Sequence, residues 1–304
     1  MKIVITGGLG FIGKNFALYM QNVAPEYDLH CVDWLRSPKS TDLDLFTSVL
    51  SEDFASNSAK SLFTDADVVV HLAATTTVQE SIQNPFGSFD NNVIKTQLLL
   101  EHLRFAAPNG HFIFASTGGA IIGAYDGPIH EGIPPMPVSP YGATKLAVEG
   151  MLSAYTGSFG MKTAALRFSN VYGPNSRHKT SVVSTFCRDY LDAGRLTVNG
   201  DGLQTRDYVY VEDICQAIWK TIKTHATGPF QLGTGVATSI LDLIQTLKSH
   251  DPGREIDVVH SEGLRGEVKH NVCDISLARR KLSFAPKYDL DRGLSETMKW
   301  FENA

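Results

Sequence analysis

The chain has 304 residues, 43% of them hydrophobic and 19% charged, the balance of a globular protein able to bury a large core. Its net charge of −5 gives no electrostatic ground for nucleic acid or an anionic membrane as a partner. The four cysteines, Cys31, Cys187, Cys215 and Cys273, stand far apart with no C-x-x-C or Cys/His cluster, so neither a zinc site nor a disulfide framework is indicated.

The first element is a strand. Ile3, Val4 and Ile5 form the β-branched run of a buried strand. Gly7, Gly10 and Gly13 follow, and Phe11, Ile12, Phe16, Tyr19 and Met20 recur at helical spacing. Strand, glycine turn and helix in that order read as a dinucleotide cradle. Glycine lets the backbone approach a pyrophosphate, and the helix N-terminus directs free N–H groups at it. The spacing is G-x-x-G-x-x-G rather than the more usual G-x-G-x-x-G, and glycines alone also mark ordinary βα turns. The chain goes straight into this strand with no secretory leader or long apolar run, so the expectation is a cytoplasmic protein without a membrane segment.

The second strand reads Tyr27–Asp33 and ends in an acid. A carboxylate there accepts both ribose hydroxyls of an adenosine and repels the extra phosphate of NADP, which favours NAD. Arg36 nearby weakens that preference, and the plain alternative for Asp33 is a turn or cap residue. From Trp34 to Lys60 the chain is polar and irregular, with a short strand expected near Ser48–Leu50. Asp53-Phe54 is one candidate to border the adenine and Asp44-Leu45 is the other; the residues leave this open. Asp67–Ala74 is another buried strand, whose ending in Leu72, Ala73 and Ala74 lets backbone pass beneath a cofactor. His71, inside it, reads as a packed, hydrogen-bonded residue rather than a catalyst.

Ser88–Ala107 is predicted as a helix, His111–Ser116 as a strand, residues 139–159 as a long helix and Thr163–Phe168 as a strand. This alternation implies a doubly wound parallel sheet of Rossmann type with helices on both faces. After Pro174 the loops lengthen. A helix near Val182–Ala193, a strand at Asp207–Val211, a helix capped by Asp213 and a terminal helix at Asp291–Phe301 follow. No linker or repeat separates the parts. The expected division is a cofactor domain over residues 1–173 and a smaller mixed α/β substrate lobe over 174–304, with the chain crossing back to the first domain.

Tyr141 and Lys145 lie four apart on one helix and so share a face. An ammonium beside a phenol lowers its pKa, and a phenolate can take the proton of an alcohol as hydride leaves to nicotinamide. Thr117, at the end of the preceding strand, is placed to bridge the substrate oxygen and Tyr141, with Ser116 as the alternative. Tyr-x-x-x-Lys by itself is as well explained by a surface lysine beside a half-buried tyrosine.

Taken together, Thr6–Gly13, His71–Ala74, Ala115–Gly119, Tyr141–Lys145, Arg167–Pro174 and Arg206–Val211 resemble the motifs of the extended short-chain dehydrogenase/reductases. Within these the chain is similar to the NAD-dependent nucleotide-sugar epimerase/dehydratase family, and most of all to UDP-hexose 4-epimerases, from Thr6 to Trp300. The resemblance implies tightly held NAD at Gly7, Gly10, Phe11, Ile12, Gly13, Asp33, Asp53, Leu72, Ala73 and Ala74. It implies catalysis at the sugar C4 by Thr117, Tyr141 and Lys145 through a 4-keto sugar, with Tyr141 and Lys145 also touching the cofactor. For the UDP-sugar it implies Ser116, Asn170, Val182, Thr197, Asn199, Arg206 and Arg265, the two arginines pairing with the diphosphate. Surface ion pairs of Arg206 with Asp207 and of Arg265 with Glu267 are the plain alternatives. It further implies a homodimer through the helices near residues 91–106 and 140–158.

Two departures bear on the reaction. The related 4,6-dehydratases carry an Asp-Glu pair after the threonine, and here Gly118-Gly119 follows Thr117, which argues against dehydration. Glu131 lies nearby in sequence, an acid that another loop could bring. Ile122 stands where many relatives have tyrosine, a packing change. Asn271, smaller than the tyrosine that restricts the sugar pocket in other members, implies room for an N-acetyl group. The loop Asn175–Thr180 is basic and reads either as a phosphate contact or as solvated surface. The alternatives are another nucleotide-sugar enzyme, a dehydratase, decarboxylase or 4-ketoreductase, or a non-catalytic NAD-binding protein.

Overall fold

A computed structural model of the chain describes residues 1–34, 40–192, 194–251, 253, 255–263 and 269–304. In chain order the first half comprises β1 (Lys2–Thr6), α1 (Phe11–Val23), β2 (Asp28–Val32), α2 (Ser40–Leu43), β3 (Ser48–Leu50), α3 (Lys60–Phe63), β4 (Val68–His71), α4 (Val78–Gln83), α5 (Pro85–Phe89), α6 (Lys95–Ala106), β5 (His111–Thr117), α7 (Gly118–Ile122), α8 (Pro140–Phe159) and β6 (Lys162–Phe168). The second half adds β7 (Asn170–Tyr172), α9 (Val182–Asp192), β8 (Arg195–Asn199), β9 (Thr205–Arg206), β10 (Tyr208–Tyr210), α10 (Val211–Thr224), β11 (Gly228–Leu232), β12 (Thr238–Ser239), α11 (Ile240–Ser249), β13 (Asp257–Ser261), β14 (His270–Asn271), α12 (Ser276–Leu282) and α13 (Leu290–Asn303).

Seven strands, all parallel, form the main sheet in the order β11-β6-β5-β4-β1-β2-β3. β1 pairs on one side with β2 and on the other with β4, so the strand order reverses there and a crevice opens at the carboxyl ends. Alternation along β1 feeds two cores. Ile3 and Ile5 pack with Phe16 and Met20 of α1 and Ile214 and Ile218 of α10. Val4 packs on the opposite face with Leu99 and Leu100 of α6 and Val148 and Leu152 of α8. The run Ile3–Ile5 is apolar throughout because both faces are covered.

The large sheet also takes a strand from the second half of the chain. β11 extends its edge beside β6, and α10, α12 and Phe284 share the core beneath α1. A third core gathers Tyr172, Phe186, Leu196, Tyr210, Leu243, Leu294 and Phe301, all from the second half of the chain. Asp207 is fully buried. Its carboxylate accepts from Thr234 N at 2.8 Å and Oγ1 at 2.7 Å, Gly235 N at 3.0 Å and Cys273 N at 3.2 Å.

Three sequence expectations shift. The helix read from Ser88 begins at Pro85, and a wide π turn at Asp90–Ile94 interrupts it before α6. Asn84 caps its start by accepting from Gly87 N at 2.9 Å. Val211 begins α10 rather than ending a strand, and Tyr210 stands at the N-cap, so Asp213 is not the cap. Asp213 instead accepts from Lys287 N at 2.8 Å and Tyr288 N at 3.2 Å, pinning the segment that leads into α13. All four cysteines are free and buried. Among the described residues no helix is long and apolar enough to cross a membrane, and no cluster is placed to hold a metal ion.

Candidate active site

The carboxyl ends of β1, β4 and β5 open into a cavity of about 530 Å³. Its floor is the glycine turn. Gly7 holds φ +70°, and a Cβ there would meet Ala73 N at 2.8 Å, so the residue after β1 must be glycine to pass under the β4 loop. A Cβ on Gly13 would collide with the carbonyls of Gly7 and Gly8. No side chain caps α1 at Gly10, which leaves its first N–H groups to an incoming anion. Phe11, Ile12, Gly10 and Gly13 all line the cavity.

At one end stands Asp33, held by Leu9 N–H at 2.9 Å to its Oδ2. Burial pushes this carboxyl up, and the N–H groups of Leu9 and Trp34 pull it back. Asp53 lines the same end, paired with Lys95 at 2.7 Å, whereas Asp44 and Leu45 are not among the lining residues. Leu72, Ala73 and Ala74 line the middle. A cradle that only glycine fits, an uncapped helix end and a carboxylate lining the same cavity suit NAD.

His71 is the packed residue expected. Its Nδ1 lies 2.7 Å from Thr6 Oγ1 and its Nε2 3.0 Å from Thr96 Oγ1. Thr96 donates its hydroxyl proton to Asn92 O at 2.7 Å, so Nε2 must be the donor to Thr96. Thr6 Oγ1 already accepts from Ala73 N, which leaves its proton for Nδ1. Neutral imidazole satisfies every partner, and burial with Lys145 nearby holds its pKa down to about 3.

The opposite end carries the chemistry. Ser139 caps α8 by accepting from Gly142 N at 3.1 Å, and Pro140 occupies the first turn, which fixes where Tyr141 begins the helix. Tyr141, Lys145, Ser116 and Thr117 line one wall. Lys145 Nζ donates to Ala115 O at 2.9 Å, lies 4.6 Å from the Phe114 ring centroid and 5.9 Å from that of Tyr141. Burial pushes the Tyr141 phenol up to about 12 and the Lys145 ammonium down to about 7. The expected lowering of the phenol is therefore absent from the protein alone. Burial outweighs the lysine, whose own ammonium is costly to hold in that wall.

One residue was not anticipated. Glu149 continues the i, i+4 ladder of Tyr141 and Lys145, and its carboxylate accepts from Arg167 Nη2 at 2.7 Å and Nε at 3.0 Å. It also accepts the Ser116 hydroxyl at 2.6 Å. That bond turns Ser116 toward α8. Glu149 raises the ammonium of Lys145 against the effect of burial.

The residues that the resemblance implies for the sugar nucleotide are spread over the second half of the chain. Asn170 opens β7 and donates to Asp207 O at 3.3 Å, and Val182 opens α9. Thr197 and Asn199 lie on β8, and Asn199 Oδ1 accepts from Ser261 at 2.8 Å. Arg206 ends β9, with Nη1 donating to Thr205 O at 2.8 Å. None of these five lines the cavity among the described residues. Arg265 and Arg36 lie outside the described residues. Glu131 is turned away to β11, accepting from Gln231 N at 2.7 Å, and Ile122 is buried in α7.

Residues 3–233 match the model of the NAD dependent epimerase/dehydratase family. A UDP-glucose 4-epimerase of Mycolicibacterium smegmatis is 31% identical over 331 residues, covering 100% of this chain and 99% of that protein. The crystal structure of UDP-glucose 4-epimerase with UDP-glucose from Thermotoga maritima superposes with a TM-score of 0.91 at 32% identity, covering 100% of this chain and 99% of the other. UDP-glucuronic acid 4-epimerase from Bacillus cereus, in complex with UDP-glucuronic acid and NAD, gives a TM-score of 0.91 at 29% identity, with 100% and 99% covered. With the glycine cradle, Asp33 and the Tyr141–Lys145 pair in place, the chain belongs to the NAD dependent epimerase/dehydratase family.

Proposed function

We propose that the protein interconverts the C4 epimers of a UDP-hexose, with glucose and galactose as the first pair, through a transient 4-keto sugar. The observation that carries this is the convergence of Thr117, Tyr141 and Lys145 on the cavity that Asp33 closes at its other end. Residues 1–173 hold the cofactor, and residues 174–304 cover the sugar nucleotide, with the uridine toward β8 and Arg206 and Arg265 at its diphosphate.

Bound NAD supplies a hydride acceptor and donor. Tyr141 takes the proton of the C4 hydroxyl and later returns it, on whichever face the keto sugar presents. Thr117 passes the proton between sugar oxygen and phenol. The Lys145 ammonium, 5.9 Å from the Tyr141 ring centroid, offsets part of what burial costs the phenolate. Dehydration would need an acid and a base beyond Thr117. Space there is filled: a Cβ on Gly118 would collide with Gln231 Oε1 and one on Gly119 with Asn271 Nδ2. Asn271, small for its place, supports acceptance of the N-acetylated hexoses too, and absence of turnover on that pair would remove this part.

The exposed apolar side chains of α6 and α8 support a homodimer. Leu98, Phe105 and Phe159 are 55%, 71% and 48% exposed, and Arg104 stacks 4.3 Å from Phe105 and 4.4 Å from Phe159. Sedimentation should show a dimer that Phe105→Glu weakens; a wild-type monomer contradicts it. Function is tested by incubating the protein with UDP-sugars without added cofactor and resolving products by NMR. C4 epimers are expected. A product lacking the C6 hydroxyl, or dependence on added NADPH, overturns the reading.

A further inference from the structure

A dinucleotide brings a diphosphate, and the cavity that receives it has few cations to spare. Among the described residues the lysines lining it are Lys95, Lys145 and Lys179, with His178 beside them. Lys95 is engaged by Asp53 at 2.7 Å, and Lys145 is sunk in the wall beneath Tyr141 with its ammonium on Ala115 O. Lys14, on α1, is held by Asp42 in an ion pair of 2.6 Å. Lys179 is different. It is partly buried, its Nζ donates only to a neutral hydroxyl, Thr76 Oγ1 at 3.2 Å, and no carboxylate partners it among the described residues. A half-buried ammonium without a counter-charge is costly unless an anion joins it.

The path of the loop decides which anion. Asn15 of α1 donates to Pro174 O at 2.9 Å, and Asn175 Nδ2 lies 3.4 Å from Asn15 Oδ1, so the loop leaves from the helix that carries the glycine turn. It ends at Thr76, in the loop after β4, the strand on the far side of the crevice from β2. Residues 175–179 therefore bridge the mouth above Gly7–Gly13. The bridge is built, not loose. Arg188 Nη1 donates to Lys179 O at 2.7 Å, and Arg177 Nη1 to Phe301 O at 3.0 Å. His178, beside Lys179, has its pKa lowered by burial first and then by Lys179 and Lys14.

We propose that Lys179, reaching from the smaller lobe, is the cation that binds the NAD diphosphate from the side opposite the glycine turn. It thereby couples the smaller lobe to cofactor retention, exchanging its bond to Thr76 for a charge-assisted bond to phosphate. Arginine would serve; a neutral side chain would not. The proposal rests on reading the crevice as an NAD site.

The test is calorimetric titration of the full chain, freed of cofactor, with NADH and separately with UDP. Lys179→Gln should weaken NADH by roughly 10- to 100-fold, the loss of one hydrogen bond to a charged group, and leave UDP binding unchanged. Lys179→Arg should stay within about threefold of wild type for NADH. Wild-type affinity for NADH should also fall more steeply with salt than that of Lys179→Gln. If Lys179→Gln binds NADH as wild type does and loses UDP affinity instead, the diphosphate served is the sugar nucleotide's and the proposal is overturned. Equal binding of both ligands makes the loop plain solvated surface and overturns it as well. Failure of the wild type to bind NADH would bring down the cofactor reading first and the role of Lys179 with it.

Discussion

The amide of Asn271 lies directly over Gly119, so close that a Cβ on the glycine would overlap Nδ2. Asn271 is carried there by β14, which pairs in parallel with β9 so that Asn271 faces Arg206. Gly118-Gly119 is therefore more than the absence of an acid and a base. It is required by the side chains of Gln231 and Asn271, which fill the space a Cβ would take. Gly119→Ala should destabilise the protein by about 1–3 kcal/mol, the usual cost of overpacking. Asn271→Ala in the same chain should recover much of that loss. Urea denaturation of the two single variants and the double variant checks the coupling, and strictly additive costs would contradict it.

Tyr141→Phe removes the one phenol on the reactive wall while keeping its ring. Turnover should fall by roughly 10²- to 10⁴-fold, the range for losing a proton-transfer group. Binding of NADH should change little, because Gly7–Gly13 and Asp33 are untouched. Turnover kept within a few-fold of wild type would contradict the assignment of proton transfer to Tyr141.

Stability should fall in mild acid because of His71. Its folded pKa is near 3 and an unfolded histidine titrates near 6.5, so between those values the unfolded chain binds one more proton. Stability is then full above about pH 6.5 and is lost as pH drops toward 3. At pH 4.5 the contribution is roughly 2–3 kcal/mol, from about 1.4 kcal/mol per pH unit. His111, held down to about 4 by burial first, adds to the same slope. Denaturant melts at pH 7.5 and 4.5 should show His71→Asn losing less on acidification than wild type. An equal loss in both would contradict the assignment.

Much of this site was legible because its signals are local. The Ile3–Ile5 run, the three glycines and the helical spacing after them lie within one stretch of chain. Ser139-Pro140 marks its own helix start, since cap and first-turn proline act within four residues. Glu149 was missed although it continues the ladder of Tyr141 and Lys145. Its partners Arg167 and Ser116 stand 18 and 33 residues away and meet it only once β5 and β6 are neighbours. Asp213 looked like a cap because a helix follows it closely. In the fold its carboxylate is claimed by backbone 74 and 75 residues downstream. The phenol of Tyr141 went the other way from expectation because spacing reports a neighbouring charge and says nothing of burial. The loop 175–180 was ambiguous for the same reason: composition shows charge, and the bonds that set the loop beside α1 and the segment after β4, from Asn15 to Pro174 and from Lys179 to Thr76, span long stretches of chain.

The central claim is that Tyr141 and its neighbours oxidise and re-reduce one carbon without releasing the cofactor. It is tested most directly with a UDP-hexose carrying deuterium at C4, incubated with the protein alone and followed by NMR. The account predicts a mixture of C4 epimers with deuterium still at C4 in both. Loss of the label from C4, or a product changed at C6, would contradict it.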